Sequence, residues 1–387
     1  MDSNNNSRKL ILYFDINKTV LISDKVKGLD LRDCIKELTS QYAWGEVDDQ
    51  NKWSLKHPEL VFQCPNEKYI SYYDYLEKNF PLQTEKEESN KAKRAENNLE
   101  IKKNKRKLRR SLISEDSEGD LKKLYGKFQK IEESAKLSHF NIPKKEFPDY
   151  FDSGYVNIVP SFFYMMINLQ KQNREFSIIF RTFGSDLEEI SKEFNDFCNG
   201  IHPLFNGENG RPLAQFNGKD GTKNYLIDTS SSGMIYRTGK HIDDTVVILG
   251  SNDRKPLKLS SDDIEQLKNN KSLKVIIGAE NIYNHLKEKN SFGIQDDYCF
   301  WNENNEKFEF AKPLLVNTSD SHILPIFFDD NIQANDDCII DCRNIHTKEQ
   351  IHLTESLNKH LIKVDSFLAL SNDNYFLEMI SVCEKAK

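Results

Sequence analysis

Cysteine is scarce: seven among 387 residues. The seven (Cys34, Cys64, Cys198, Cys299, Cys338, Cys342 and Cys383) are odd in number, scattered, and form no CxxC pair. A disulfide framework or a structural zinc ribbon is therefore not expected. No apolar run approaches the ~18 residues of a membrane-spanning helix. The first residues, Met1-Asp-Ser-Asn-Asn-Asn6, lack the basic-then-apolar build of a signal peptide, and Leu10 to Phe14 is too short for its apolar core. A soluble, cytoplasmic protein with no membrane partner is expected. The length suits two or three folding units and is ample for a large core.

A uniformly basic surface is also lacking. The formal net charge is -7, from 54 Lys and Arg against 61 Asp and Glu. Positive charge concentrates in one stretch: Thr84 to Leu137 holds 16 basic and 11 acidic residues, so the rest of the chain is distinctly acidic. Nucleic acid is not the expected partner. Within that stretch, Lys102-Lys-Asn-Lys-Arg-Lys-Leu-Arg-Arg110 has the composition of a nuclear signal or polyanion arm. Residues 84–119 are half charged and poor in aromatics, which predicts a mobile, partly low-complexity insertion. A protein partner would dock through 84–137.

What is present is a series of short apolar runs that stop abruptly at polar residues. Lys9-Leu-Ile-Leu-Tyr-Phe14 ends at Asp15, Phe176-Ser-Ile-Ile-Phe180 at Arg181-Thr182, and Pro325-Ile-Phe-Phe328 at Asp329-Asp330. Runs of this kind read as parallel strands buried on both faces. Thr245 to Leu249, Lys274 to Ile277, Phe292 to Ile294 and Cys338 to Ile340 are further strand candidates. Helical spacing appears from Leu29 to Leu38 behind Asp30, from Leu121 to Ile131 behind Asp120, and from Pro160 to Gln172. Ser185-Asp-Leu-Glu188 has capping-box spacing and opens a helix ending at Gly200, so strand, turn and helix form a βα unit. Asn372 is the expected cap of the last helix. Tyr42 to Phe80 is folded but shows no clear period. Asn206 to Gly239 reads as loops or hairpins.

Strand-terminal carboxylates matter because ligands of open α/β sheets bind at the strand carboxyl ends. Two such Asp from different strands can hold Mg2+, and a carboxylate can attack phosphorus. Asp296-Asp297 is a rival pair, read as a loop near the site. Asp243-Asp244 precedes a strand and is expected at the opposite edge. His202, His241 and His322 lack metal spacing, and Cys338 and Cys342 flank a strand as packed core.

Taken together, the motifs resemble those of the haloacid dehalogenase superfamily. Leu10-Ile-Leu-Tyr-Phe-Asp15-Ile-Asn17-Lys-Thr19 resembles its strand followed by DxDxT. Phe176 to Thr182 resembles the strand ending in Thr or Ser, and Ile326-Phe-Phe-Asp329-Asp330 the strand ending in DD. Lys312, in Ala311-Lys-Pro313, is similar to the family lysine. The order matches, and the resemblance spans about a third of the chain. RTFG and FFDDNI are similar to a little-characterised, phosphatase-like branch, so no particular substrate is implied. The resemblance implies that Asp15 attacks a phosphoryl group and forms an aspartyl-phosphate. It places Mg2+ between Asp15, the backbone carbonyl of Asn17 and Asp329, with Asp330 orienting Lys312 or a metal-bound water. Thr182 would bond a phosphoryl oxygen and Lys312 neutralise developing charge.

One departure stands out. The family's phosphatases carry a second Asp where this chain has Asn17, and an amide cannot shuttle a proton. The expected function is a Mg2+-dependent phosphatase-like hydrolase acting on a phosphorylated small molecule or phosphoprotein. The alternative is a catalytically weak or inactive phosphate-binding or interaction module. The expected fold is α/β: a doubly wound, Rossmann-like parallel sheet from residues 8–40, 150–205 and 290–387. Insertions at 41–149 and 206–289 are expected to act as caps.

Overall fold

A computed structural model describes residues 8–23, 28–84, 86–139, 147–207, 211–250, 259–332 and 339–386. The chain divides into two compact units: Ile22–His139, and the sequence on either side of it. No helix among the described residues is long and apolar enough to cross a membrane.

The chain opens with strand β1 (Lys9–Asp15) and then enters the Ile22–His139 unit. There helix α1 (Leu31–Tyr42) is capped by Asp30, whose carboxylate accepts the Asp33 N–H at 2.8 Å. Strands β2 (Trp44–Val47), β3 (Trp53–Leu55) and β4 (Ile70–Ser71) form a small antiparallel sheet in the order β3-β2-β4. Helices α2 (Tyr72–Asn79), α3 (Lys91–Arg110) and α4 (Gly119–Ser134) follow. Helix α1 buries Leu31, Cys34, Ile35 and Leu38 and packs against α2, α3 and α4. It therefore groups with this unit rather than with the core expected at 8–40.

The stretch 84–119, expected to be mobile, holds helix α3. Asn90 caps this helix by accepting from the N–H groups of Ala92 and Lys93. Lys105 and Arg109 bury their stems and both bond the carboxylate of Glu77, while the Arg109 guanidinium lies 3.9 Å from the Tyr73 ring centre. Composition alone hides this, because the neutralising anion lies on α2.

The other unit continues with α5 (Pro160–Lys171), β5 (Phe176–Thr182), α6 (Leu187–Cys198), β6 (Ser232–Arg237) and β7 (Thr245–Leu249). Then come α7 (Ser261–Asn269), β8 (Lys274–Ile277), α8 (Ala279–Glu288), β9 (Ser291–Gln295) and α9 (Tyr298–Glu303). Strands β10 (Lys312–Val316), β11 (Ile323–Asp329), β12 (Ile340–Asn344) and β13 (Leu361–Lys363) complete the strands, with helices α10 (Leu353–Ser356), α11 (Ser366–Ser371) and α12 (Tyr375–Lys385). Cys338 lies outside the described residues, and β12 starts at Ile340 rather than ending there.

Eight strands form one sheet, ordered β13-β11-β1-β5-β9-β6-β7-β8. The fold is α/β with a mostly parallel central sheet; among the described strands, β7 is the one reversed relative to the rest. The apolar runs read from sequence are strands covered on both faces. On one face, Phe14 meets Phe162 of α5 and Phe376 of α12, and Phe180 meets Phe194 of α6. On the other, Ile11, Tyr13, Ile179 and Phe327 pack against α8 and a parallel pair of strands, β10 and β12. Replacing the fully buried Phe14 by Ala would cost ~3–5 kcal/mol.

Two expectations change here. Residues 206–289 do not form a separate cap: β6, β7 and β8 extend the main sheet. Asp243-Asp244 is not at the opposite edge, since the antiparallel β7 starts where β6 ends, with Thr245 level with Arg237.

Candidate functional site

The sheet order changes direction between β1 and β11. From β1 the chain goes to β5 and β9 on one side, whereas β11 is followed by β13 on the other. Such a switch point leaves a crevice at the strand carboxyl ends. Asp15 and Asp329 are the last residues of those two strands, and the register that pairs Phe14 with Phe328 brings them level.

Lys312, the first residue of β10, joins them. Its Nζ donates to Asp15 Oδ1 at 2.6 Å and to Asp329 Oδ2 at 2.9 Å, and all three side chains are buried. The Asp329 carboxylate also accepts the Asn331 N–H at 2.9 Å. Asp330 offers a third buried carboxylate, with one ligand oxygen from each of Asp15, Asp329 and Asp330 lying within 4.8 Å of the others. Thr19 ties the two loops together, its Oγ1 accepting the Asp330 N–H at 3.1 Å. Its own loop is wound tightly on the Ile16 carbonyl, with Lys18 in the left-handed region at φ 61°.

The Lys312 ammonium is shared by Asp15 and Asp329, with Asp330 close by. Burial pushes the Asp15 carboxyl well above its ordinary range; Lys312 opposes this, and Asp329 and Asp330 reinforce it. For Lys312 burial works downward, but Asp15, Asp329 and Asp296 outweigh it and the ammonium is held protonated. The close-set hard oxygens fit a divalent cation such as Mg2+. The side-chain oxygen of Asn17 is buried and has no hydrogen-bond partner, a further oxygen open to a ligand.

The remaining expected site residues lie on β5 and the loops. Thr182 sits on the neighbouring strand one residue past the level of Asp15, its hydroxyl accepting the Gly184 N–H at 2.9 Å. Asn17 donates through Nδ2 to Asp186 Oδ2 at 2.8 Å. The capping box expected at Ser185 to Glu188 is absent: Asp186 occupies the cap position of α6 but makes no side-chain cap bond. Gly184 leaves room for this, since a Cβ there would stand 2.5 Å from Asp186 Oδ2.

Arg181 and Asp296 were not singled out as a pair by sequence. Arg181 Nε donates to Asp296 Oδ2 at 2.9 Å, Nη2 bonds Oδ1, and Nη1 donates to the Pro313 carbonyl at 3.1 Å. That last bond fixes β10 beside Lys312. Asp296 is thus engaged by Arg181, and Asp297 caps α9. His202 is buried against Glu193 at 3.1 Å, a packing role.

No family model matches the chain, and no curated protein or solved structure matches it either.

Proposed function

We propose that the chain is a Mg2+-dependent phosphatase-like hydrolase of the haloacid dehalogenase type, working through an aspartyl-phosphate on Asp15. The observation that carries this reading is the Lys312 ammonium bridging Asp15 and Asp329 at the sheet's switch point. Asp15 supplies the nucleophilic oxygen. Lys312 holds that carboxylate in place and offsets charge gathering on the phosphoryl oxygens, where preorganised donors give their largest benefit. The Thr182 hydroxyl donates to a phosphoryl oxygen. Asp15, the Asn17 carbonyl, Asp329 and Asp330 would hold Mg2+, which when bound shields the anionic nucleophile from an anionic substrate.

A second reading, a phosphate-binding or interaction module with little turnover, is favoured by Asn17. Its amide is committed to Asp186 and is far too weak an acid to protonate a leaving group. A panel of phosphorylated metabolites assayed with Mg2+, beside an Asp15→Asn control, separates the two. Turnover that vanishes in Asp15→Asn supports the hydrolase; binding without turnover in the wild type supports the module.

A further inference from the structure

Phe183 directly follows Thr182 at the end of β5, and α9 leaves the end of the next strand, β9. The two bring three aromatic rings to the carboxyl edge of the sheet. Phe183 and Trp301 stack at 5.0 Å with their planes 6° apart. Tyr298 stands edge-on to both, at 5.7 and 6.2 Å. The Lys312 Nζ that bonds Asp15 lies 5.2 Å from the centre of the Phe183 ring. One side chain therefore separates the aromatic group from the nucleophile.

These rings are not core. Phe14 and Phe180 are fully buried, whereas Tyr298 is 42% exposed and Phe183 and Trp301 are half-buried. The Trp301 indole N–H donates to the Lys307 carbonyl at 3.1 Å, which fixes the ring against Phe183.

A separate observation concerns the leaving group. Asn17 stands two residues after Asp15, and its amide cannot deliver a proton to a departing oxygen. Without an acid at position 17, the oxygen leaves as an anion. An aromatic hydroxyl ionises near pH ~10, as tyrosine does, while a hydroxyl resembling water ionises near ~16. Only the first leaves readily without help.

We infer that the crevice takes phosphate monoesters of an aromatic hydroxyl, with Phe183, Tyr298 and Trp301 forming the wall that receives the ring. The inference rests on the phosphatase reading for the seat of the phosphoryl group and adds the class of substrate. Asp15 forms an O–P bond as the P–O(aryl) bond breaks, and the electron pair leaves on the aryl oxygen, which is protonated by water. Water then attacks phosphorus, releases phosphate and restores the Asp15 carboxylate, its proton passing to solvent. Nucleoside 5′-phosphates, flat but with an alkyl leaving oxygen, are poor substrates.

Calorimetric binding of phenylphosphonate and methylphosphonate to the full chain with Mg2+ tests the wall without turnover. The phenyl compound should bind about tenfold more tightly, ~1.4 kcal/mol, and this preference should fall towards one in Trp301→Leu and in the milder surface variant Tyr298→Ser. Equal binding in the wild type, or a preference untouched in both variants, overturns the inference. Turnover of acetyl phosphate, which has a good leaving group and no ring, tests the hydrolase reading alone through its loss in Asp15→Asn. Selective phenylphosphonate binding without Asp15-dependent turnover would remove the hydrolase and leave the aromatic wall. Phenyl phosphate and a phosphotyrosine peptide, compared by kcat/KM with an alkyl phosphate, give the source: a preference of tenfold or more for either supports the inference, the larger naming free ester or protein. No preference for either overturns it.

Discussion

Asn17 hands its side-chain amide to the Asp186 carboxylate at 2.8 Å, and Asp186 forgoes capping α6 to receive it. Hydrogen-bond polarity at this pair is fixed: one donor and one acceptor. An acid placed at position 17 would set two carboxylates against each other.

The first prediction follows from that polarity. Asn17→Asp alone should give little increase in alkyl phosphate turnover, because its proton is shared with Asp186 and like charges repel. The exchange Asn17→Asp with Asp186→Asn restores one donor and one acceptor. The double variant should raise alkyl phosphate turnover by about 10²–10⁴, the range of general acid/base catalysis. Steady-state rates of both variants on an alkyl phosphate decide it; a double variant no faster than wild type locates the defect elsewhere.

Lys312→Met should be strongly destabilising. It leaves Asp15 and Asp329 buried without their shared cation, a loss of ~3–5 kcal/mol for a broken buried pair. Urea unfolding at neutral pH measures it, and adding Asp15→Asn should recover part of the loss. Undiminished stability in Lys312→Met would mean the ammonium does not hold the two strand ends together.

Metal binding should be proton-linked. The Asp15 carboxyl is raised in the folded state, so its contribution to stability is full below its unfolded value and is lost as pH rises through the folded value. Mg2+ displaces that proton and reverses the loss. The rise in Tm on adding Mg2+ should therefore grow as pH increases from acid towards neutral and above. Scanning calorimetry over that pH range checks it; a shift that shrinks with rising pH contradicts the assignment of Asp15 as a ligand.

Asp296 and Asp329 should part company on substitution. Asp296→Asn removes the partner of the buried Arg181 and should cost ~3–5 kcal/mol while Mg2+ still binds. Asp329→Asn should weaken Mg2+ binding at least tenfold. Paired unfolding and metal titrations distinguish them, and loss of metal binding in Asp296→Asn would move the metal towards β9.

Legibility varied with the range of the forces involved. Strands β1, β5 and β11 could be read because burial on both faces demands an unbroken apolar run, and their terminal Asp15, Thr182 and Asp329 were visible for the same reason. Ser232 to Arg237 holds only Met234-Ile-Tyr236 as an apolar run, its surroundings are rich in Gly, Asn and Ser, and its place as β6 depends on pairing with β9. Strand direction has no local signature, so the place of Asp243-Asp244 beside the end of β6 is not legible in the sequence. The α3 helix was obscured because Glu77, which neutralises Lys105 and Arg109, lies about thirty residues upstream. Ser185 and Glu188 fit a local capping pattern, whereas the cap position of α6 falls to Asp186, whose carboxylate accepts from Asn17, 169 residues away.

The strand order also sets a timetable for synthesis. Strand β1 pairs on one side with β5 and on the other with β11, so Lys9 waits for Ile323. At ~5–20 residues per second, that partner is made roughly 15–60 s after β1 leaves the ribosome. Throughout that interval Leu10-Ile-Leu-Tyr-Phe14 has at least one open edge, a template for adhesion to other nascent chains. The strand that ends at Asp15 thus spends this interval exposed to adhesion, and the inserted Ile22–His139 unit can fold while β1 waits.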